Sequence, residues 1–485
     1  MKKAKSKRTT EERRQRWRGL LVPLLAIVTA LIISGLLIMI TDFHVHDAFT
    51  HIPMEIVDEV AYSWEEVTLG EALEHHSAQV EIGDRVRVDG RWRTVVEAID
   101  NPDRQLTLDE ARELYPELGV GVMVHFGFWQ RPGVGFAAAW ESVASAYAAL
   151  FEGSIGSPGQ MVRAIVAAFG GDTSQLGKAF YPLTESLVTA TPYILTGLAV
   201  ALGFRAGLFN IGAEGQYFVG GLLGVFVGYS VKGLPMIVHL PLTLLAGMVG
   251  GAIWGAIPGL LKAKTGAHEV INTIMMNYIA FALADWLLNG PMQRPDDFRP
   301  ISAEIQPSAF LPQFFASPIR LHLGFILALL MAAAVYWLLF KTTVGFELRT
   351  VGTNPHAARY AGMNLTWNYV LAMALSGGLA GLAAMNDICG VIRYMPNAFS
   401  AGYGFDAIAL ALLGRSHPVG VVLAALLFGV LRAGASRMQS VAQIPIDIIS
   451  ILQAMIIIFI AAPEIIRALY RLREDREAEL APAKG

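Results

Sequence analysis

Long apolar runs separated by short polar punctuation dominate this chain. The first, Leu20–Ile40, holds about twenty residues, enough for an α-helix to cross a hydrocarbon core of ~30 Å. Further runs fall at approximately Pro182–Gly203, Gly212–Val231, Leu240–Leu261, Val270–Asn289, Leu321–Phe340, Leu365–Ile388, Tyr403–Gly414, Val419–Gly434 and Ile444–Ala462. Together they predict an all-α polytopic membrane protein with about ten transmembrane helices, several of them short or broken by glycine. The most informative break lies in Gly197–Gly221, GLAVALGFRAGLFNIGAEGQYFVGG, where Arg205, Asn210, Glu214 and Gln216 stand among glycines between two apolar stretches. Polar groups and broken backbone persist at membrane depth only where protein or a water-filled cavity satisfies them. The pattern therefore predicts a broken or re-entrant segment of the kind that lines a transport path. A short cytoplasmic loop between two ordinary spans is the plainer alternative.

The pattern changes between Asp42 and Arg131, which are polar and acidic. In VEIGDRVRVDGRWRTVVEAI, Arg85, Arg87, Asp89 and Arg91 alternate with Val86, Val88 and Trp92 at the period of a β-strand. LTLDEARELYP reads as a short helix stopped by Pro116. A small α/β extracytoplasmic insertion is expected here, because it follows a single crossing from a cytoplasmic start. That start is KKAKSKRTTEERRQRWR, whose basic charge holds the N-terminus inside. The predicted layout is a basic N-terminus (1–19), a first transmembrane helix (20–41), the inserted module (42–131), a transmembrane domain (140–462) and a cytoplasmic tail (463–485). Residues from Trp140 to about Tyr181 are expected as outer-face helices leading back to the bilayer. In this alternation Arg205, Lys262, Lys264, the Lys341–Arg359 loop, Arg415 and the Arg467–Arg476 tail fall on the cytoplasmic side, whereas Arg432 and Arg437 fall outside. An even count of crossings returns both termini to the cytoplasm.

Composition narrows the class. The chain is 54% hydrophobic and 16% charged, with a mean hydropathy of +0.48, so much of it faces lipid. A net charge of −3 argues against nucleic acid as a partner. The single cysteine, Cys389, leaves no intrachain disulfide and reads as a small buried hydrophobe. His44, His46, His51, His75 and His76 are irregularly spaced and read as solvated surface residues, not a metal site. Glycines at 247, 251, 255 and 259, and again at 220, 224 and 228, form four-residue stripes that let helices pack closely.

Enzyme motifs fail on inspection. In GDTSQLGKA the first glycine is one residue too far from Gly177-Lys178, and Ala179 replaces the Ser or Thr of a Walker site. His268-Glu269 opens a zinc-protease pattern that Asn272 breaks. ALSGG at Ala374–Gly378 is better explained by small residues at a helix contact than by a protease nucleophile. Asp285 either lines the path or pairs with an arginine. Asp406, in the first turn of a short helix after Gly402 and Gly404, is held by backbone N–H groups or faces a cavity. In KTTVGFELRTVGTNPHAARYAGMN, Asn354 is a good N-cap, Pro355 takes the first helical position and Gly362 stops a helix of about two turns, with Arg349 and Arg359 nearby. Such a short rigid helix beneath the membrane suits a mechanical handle for a soluble partner.

Three stretches, RAGLFNIGAEGQ, HEVINTIMMNYIA and GYGFDAIALALLGRSHPVGVVLAALLFGVLRAG, resemble the permease subunits of bacterial ABC importers in the branched-chain amino acid, ribose and nucleoside group, most of all its nucleoside-uptake branch. VGTNPHAARYAGMN is similar to that family's ATPase-engaging loop. The resemblance implies a multi-pass subunit of the bacterial cytoplasmic membrane with no chemistry of its own, importing nucleosides by alternating access. ATP and Mg2+ would sit on a partner ATPase; a second related permease would complete the pore, and an extracytoplasmic lipoprotein would deliver the solute. Arg349, Asn354, Pro355, Arg359 and Gly362 would form the ATPase-coupling loop. Asn210, Glu214, Asn277 and Asp406 are the candidate substrate-path residues, since neutral amides suit a nucleoside's donors and acceptors. The 42–131 module departs from the family pattern. An ion-coupled secondary transporter, with Glu214, Asp387 and Asp406 as its acids, and an ABC permease for a simple sugar are the alternative readings.

Overall fold

In the computed structural model, the residues described are 24–40, eight short strands between 54 and 130, and 134–170, 174–295, 297–397, 399–442 and 447–470. The basic N-terminal segment, the five histidines between positions 44 and 76, and the tail beyond 470 lie outside them. The chain divides into two compact units, Ile33–Tyr147 and the remainder.

The first unit holds eight short strands among its described residues. A five-stranded sheet has the order β6-β2-β1-β8-β7, with β1 Met54–Val57, β2 Val60–Ser63, β6 Gln105–Thr107, β7 Val122–Val124 and β8 Phe128–Gln130. A three-stranded sheet has the order β3-β5-β4, with β3 Glu66–Thr68, β4 Arg85–Val88 and β5 Arg91–Val96. The alternating stretch forms the β4–β5 hairpin, with Val88 paired to Arg91 across Asp89-Gly90, a dipeptide suited to a two-residue turn. The expected LTLDEARELYP helix is corrected at its start. Leu106 and Thr107 belong to β6, where Leu106 pairs with Ala61, so strand pairing overrides local helix propensity; the rest of that segment lies outside the described residues.

The second unit is mainly helical. The second unit is built from α3 (Pro158–Phe169), α4 (Ser174–Arg205), α5 (Ala213–Ser230), α6 (Met236–Thr265), α7 (Glu269–Leu288), α8 (Gly324–Lys341), α9 (Thr343–Thr353), α10 (Pro355–Tyr360), α11 (Leu365–Asp387), α12 (Tyr403–Leu413), α13 (Pro418–Ala442), α14 (Asp447–Ala461) and α15 (Pro463–Leu469). Before them run α1 (Leu24–Ile40) and α2 (Val134–Ser154), through which the unit boundaries pass. Among the described residues six helices, α4, α6, α7, α8, α11 and α13, are long and apolar enough to cross a membrane, while α1, α12 and α14 are shorter apolar helices. With α5, each expected crossing has its helix. Two boundaries moved most. Pro182 lies inside α4, which starts eight residues earlier, at Ser174. The segment expected to end at Gly434 runs on to Ala442, because that glycine lets α13 lie against the Leu150 backbone: a Cβ there would stand 2.2 Å from the Leu150 carbonyl oxygen.

The centre of the bundle is α11, whose residues Ser376–Asp387 are all buried. Its most extensive partner is α6. A Cβ on Gly251 would meet the Gly377 carbonyl oxygen at 2.1 Å, and one on Gly255 the Met373 oxygen at 2.3 Å, so the α6 glycine stripe is a backbone-to-backbone contact. Gly220 of α5 joins the same crossing against Gly381. Without a hydrophobic drive between helices in lipid, close approach of this kind is what holds them.

Arg205, Lys262 and Arg349, of the basic residues expected on one side, lie at one end of the bundle. Arg205 donates to the Ser416 carbonyl at 2.8 Å, Lys262 pairs with Glu269 at 2.8 Å, and Arg205 and Arg349 both lie over the Phe340 ring. At the other end, residues 289–322 pack on 393–397 through Ser302 N–H to Met395 O (2.9 Å) and Ile305 N–H to Arg393 O (3.0 Å). Arg299 hydrogen-bonds Asp297 there and holds its carboxyl down at about 2.

Candidate functional site

Two broken elements meet inside the bundle. After α4 ends at Arg205, residues 206–212 turn back along it, and α5 restarts at Ala213. Asn210 shows how far the turn penetrates. Its amide donates to Ser376 Oγ (2.8 Å), and Ser376 in turn donates to the Ala199 carbonyl (2.6 Å). Ser376 stands eleven residues into α11, about 17 Å along its axis, so this chain reversal lies at membrane depth.

The second break precedes α12. Gly402, with φ +87, turns the chain, Ser400 Oγ accepts the Gly402 N–H at 3.0 Å, and the helix begins at Tyr403. Gly404 then abuts the start of α5: a Cβ there would lie 2.3 Å from the Glu214 nitrogen. The Glu214 carboxylate accepts the Gly404 N–H at 2.6 Å and sits at the positive ends of both helices. The α12 N-terminus thus points at an acid carried in the first turn of α5.

Rings surround this junction. Tyr193 of α4 meets Tyr403 edge-on at 4.8 Å and Phe428 of α13 at 6.1 Å; Tyr217 of α5 stacks on Phe399 at 4.9 Å and lies 5.9 Å from Tyr403. Each flank of Tyr403 carries a tyrosine–aspartate pair. Tyr193 donates to Asp406 at 2.9 Å, and Tyr217 donates to Asp387 at 2.5 Å. Immediately after Asp387, residues Ile388–Ile392 form a π-turn, a local irregularity found frequently at functional sites.

The four candidate path residues occupy different environments here. Asn210 and Gln216 exchange two amide hydrogen bonds (2.9 and 3.2 Å), and the Asn210 oxygen also accepts the Gly212 N–H (2.9 Å), so its polar atoms are satisfied within the protein. Asn277 accepts from Gly215 N–H (2.8 Å) and donates to Ile211 O (3.0 Å), clamping the same turn from α7. Glu214 caps α12. Asp406 is the half-exposed member and keeps acceptor capacity beyond Tyr193. Asp285 is exposed near the end of α7 and accepts from Asn289 (2.9 Å) and Asn397 (2.8 Å), and among the described residues it pairs with no arginine. Sequence reasoning passed over Tyr193, Tyr217, Phe399, Tyr403 and Phe428, because rings in apolar runs read as packing. It also placed Arg432 outside, although that residue is an internal, half-buried position of α13.

The candidates between α9 and α11 form the structure their spacing predicted. Asn354 Oδ1 accepts the Ala357 N–H at 3.0 Å, Pro355 opens α10, and Gly362 with φ +80 follows its end. Arg349 lies 5.2 Å over Phe340. Arg359 is exposed beside Tyr360, which is 94% exposed.

Comparison with known proteins gives concordant matches. Residues 183–461 match the family described as branched-chain amino acid transport system permease component. The guanosine ABC transporter permease protein NupP of Bacillus subtilis (strain 168) is 43% identical over 67% of this chain and 88% of its own length. The glucose ABC transporter permease protein TsgB13 of Haloferax volcanii is 40% identical over 64% and 83%. The nucleoside ABC transporter permease protein NupB of Lactococcus lactis subsp. cremoris is 35% identical over 64% and 88%. No solved structure matches.

Proposed function

The chain belongs to the branched-chain amino acid transport system permease family, and from that premise we propose that it moves nucleosides through an ATP-driven importer. The observation that carries the cargo is the ring cluster between Asp406 and Asp387. A nucleoside offers a flat base that stacks on aromatic faces and ribose hydroxyls that donate to a carboxylate. Tyr403, flanked by Tyr193 and Tyr217, supplies the stacking surface; the free oxygen of Asp406 accepts from the ribose. Asn210, Asn277 and Glu214 shape the path by holding the two half-helices in register, so that α12 and α5 move as one piece.

Drive comes from outside the chain. A cytoplasmic ATPase, holding ATP and Mg2+, presses on α10 through Arg349, Asn354, Pro355, Arg359 and Gly362, with a second related permease completing the pore and an extracytoplasmic lipoprotein delivering the solute. The chain sits in the cytoplasmic membrane with both termini inside, and the strand-rich segment faces outward. To move the population decisively between outward- and inward-open states, ATP must favour one by about 5 kcal/mol.

The test is uptake of tritiated nucleosides and of glucose by cells expressing the whole importer. Nucleoside uptake is expected, falling about tenfold or more in Asp406→Asn, the scale of one lost hydrogen bond to a charged group, and likewise in Tyr403→Ala, which removes the stacking face. Glucose uptake without nucleoside uptake would make the cargo a sugar. Uptake that survives ATP depletion and follows an ion gradient would replace the importer with a secondary carrier.

A further inference from the structure

Arg432 stands out among the charged residues of the bundle. It lies fourteen residues into α13, about 21 Å along the helix and one turn beyond Phe428 on the same face. Phe428 packs on Tyr193, and Arg432 interacts electrostatically with Tyr193, Tyr403 and Asp406. Among the described residues it makes no hydrogen bond or ion pair, and the Tyr403 hydroxyl makes no hydrogen bond either. The contrast with Arg437, five residues on, is instructive: that arginine pairs with Glu152 at 3.1 Å. A half-buried arginine within a bundle is expensive and is kept where it has a partner or a function.

We propose that Arg432 reads the base of the transported nucleoside and makes this permease selective for 6-oxopurine nucleosides, guanosine and inosine. The inference rests on the nucleoside reading above. A guanidinium presents parallel N–H donors in a fixed plane and is suited to two adjacent acceptors. Guanine and hypoxanthine offer O6 and N7 side by side, whereas adenine places an amino donor next to N7. Uracil alternates acceptor, donor, acceptor. The two-ring base also covers more of the half-exposed Tyr403 ring, which buried Tyr193 and Tyr217 hold in place, than a pyrimidine does. With its ribose on Asp406 and its base over Tyr403, the bound nucleoside turns its O6/N7 edge to Arg432.

In a full importer the lipoprotein also selects, so the test omits it. Saturation-transfer NMR on the detergent-purified complex of permeases and ATPase would measure competition among guanosine, inosine, adenosine, cytidine and uridine. A preference of roughly 5- to 150-fold for guanosine and inosine is expected, the scale of one bidentate pair. Arg432→Lys keeps the charge but not the fork, so it should bring that ratio to near one while adenosine and uridine binding persists; co-purification with the ATPase checks that the variant assembles. A wild-type complex without 6-oxopurine preference, or an Arg432→Lys variant that retains it, would overturn the proposal. Equal loss of every nucleoside in Arg432→Lys would also overturn it, leaving Arg432 an electrostatic support. Binding of glucose but of no nucleoside would instead sink the cargo reading beneath it.

Discussion

At the scale of single residues, side-chain type was legible and side-chain role was not. Asn277 stands inside an apolar run, and Asn210 stands either in a broken span or in a short loop; an amide at membrane depth either faces a cavity or satisfies broken backbone. The neighbours decide: Asn210 is engaged by Gln216, Ser376 and Gly212, Asn277 by Gly215 and Ile211. Asn210→Leu would strand the Gln216 amide and the Gly212 N–H, each costing about 1–3 kcal/mol when buried without a partner. The expected result is a melting temperature lowered by several degrees in thermal-shift gel filtration, with less folded protein recovered. A variant that melts normally yet transports poorly would move Asn210 from scaffold to path. Asp406 was a near-even choice between cap and cavity. The structure gives the cap of α12 to Glu214, and leaves Asp406 half-exposed with Tyr193 as its hydrogen-bond donor.

At the scale of elements, the outcome followed from how local each signal is. The cap, proline and glycine of α10 act within one or two turns, and the helix formed where they placed it. The glycine stripe of α6 was equally readable, although its partner on α11 was not, since the contact joins residues over a hundred positions apart. Failures came where a distant contact overrode a local rule, as when β6 captured the start of the expected LTLDEARELYP helix, or Leu150 let α13 run through Gly434. For α10 the expectation is mechanical. Arg349→Glu together with Arg359→Glu should leave insertion intact while cutting ATP-driven uptake about tenfold or more, because like charge across a contact both weakens association and slows encounter. Undiminished uptake by that double variant would remove α10 from the coupling role.

At the scale of the whole molecule, orientation follows from counting and from charge. The expected ten crossings and the basic start predict that green fluorescent protein fused at either terminus glows, while alkaline phosphatase inserted between residues 64 and 84 is active; a silent C-terminal fusion would mean an odd number of crossings. Hydropathy by itself determined that this is a polytopic membrane protein, because a ~30 Å apolar slab sets the length of every segment that crosses it. It also marked both breaks, since glycines and charged groups inside apolar runs contradict a simple span. What only the tertiary structure decided is where those breaks meet. The α5 and α12 starts lie 190 residues apart in sequence yet share one hydrogen bond between Glu214 and Gly404. Tyr193, Tyr217 and Tyr403 become a single ring cluster only when three helices converge there. Periodicity reports which face of a helix is apolar, but an apolar face packs against lipid, another helix or a solute with the same residues, and only the fold distinguishes them.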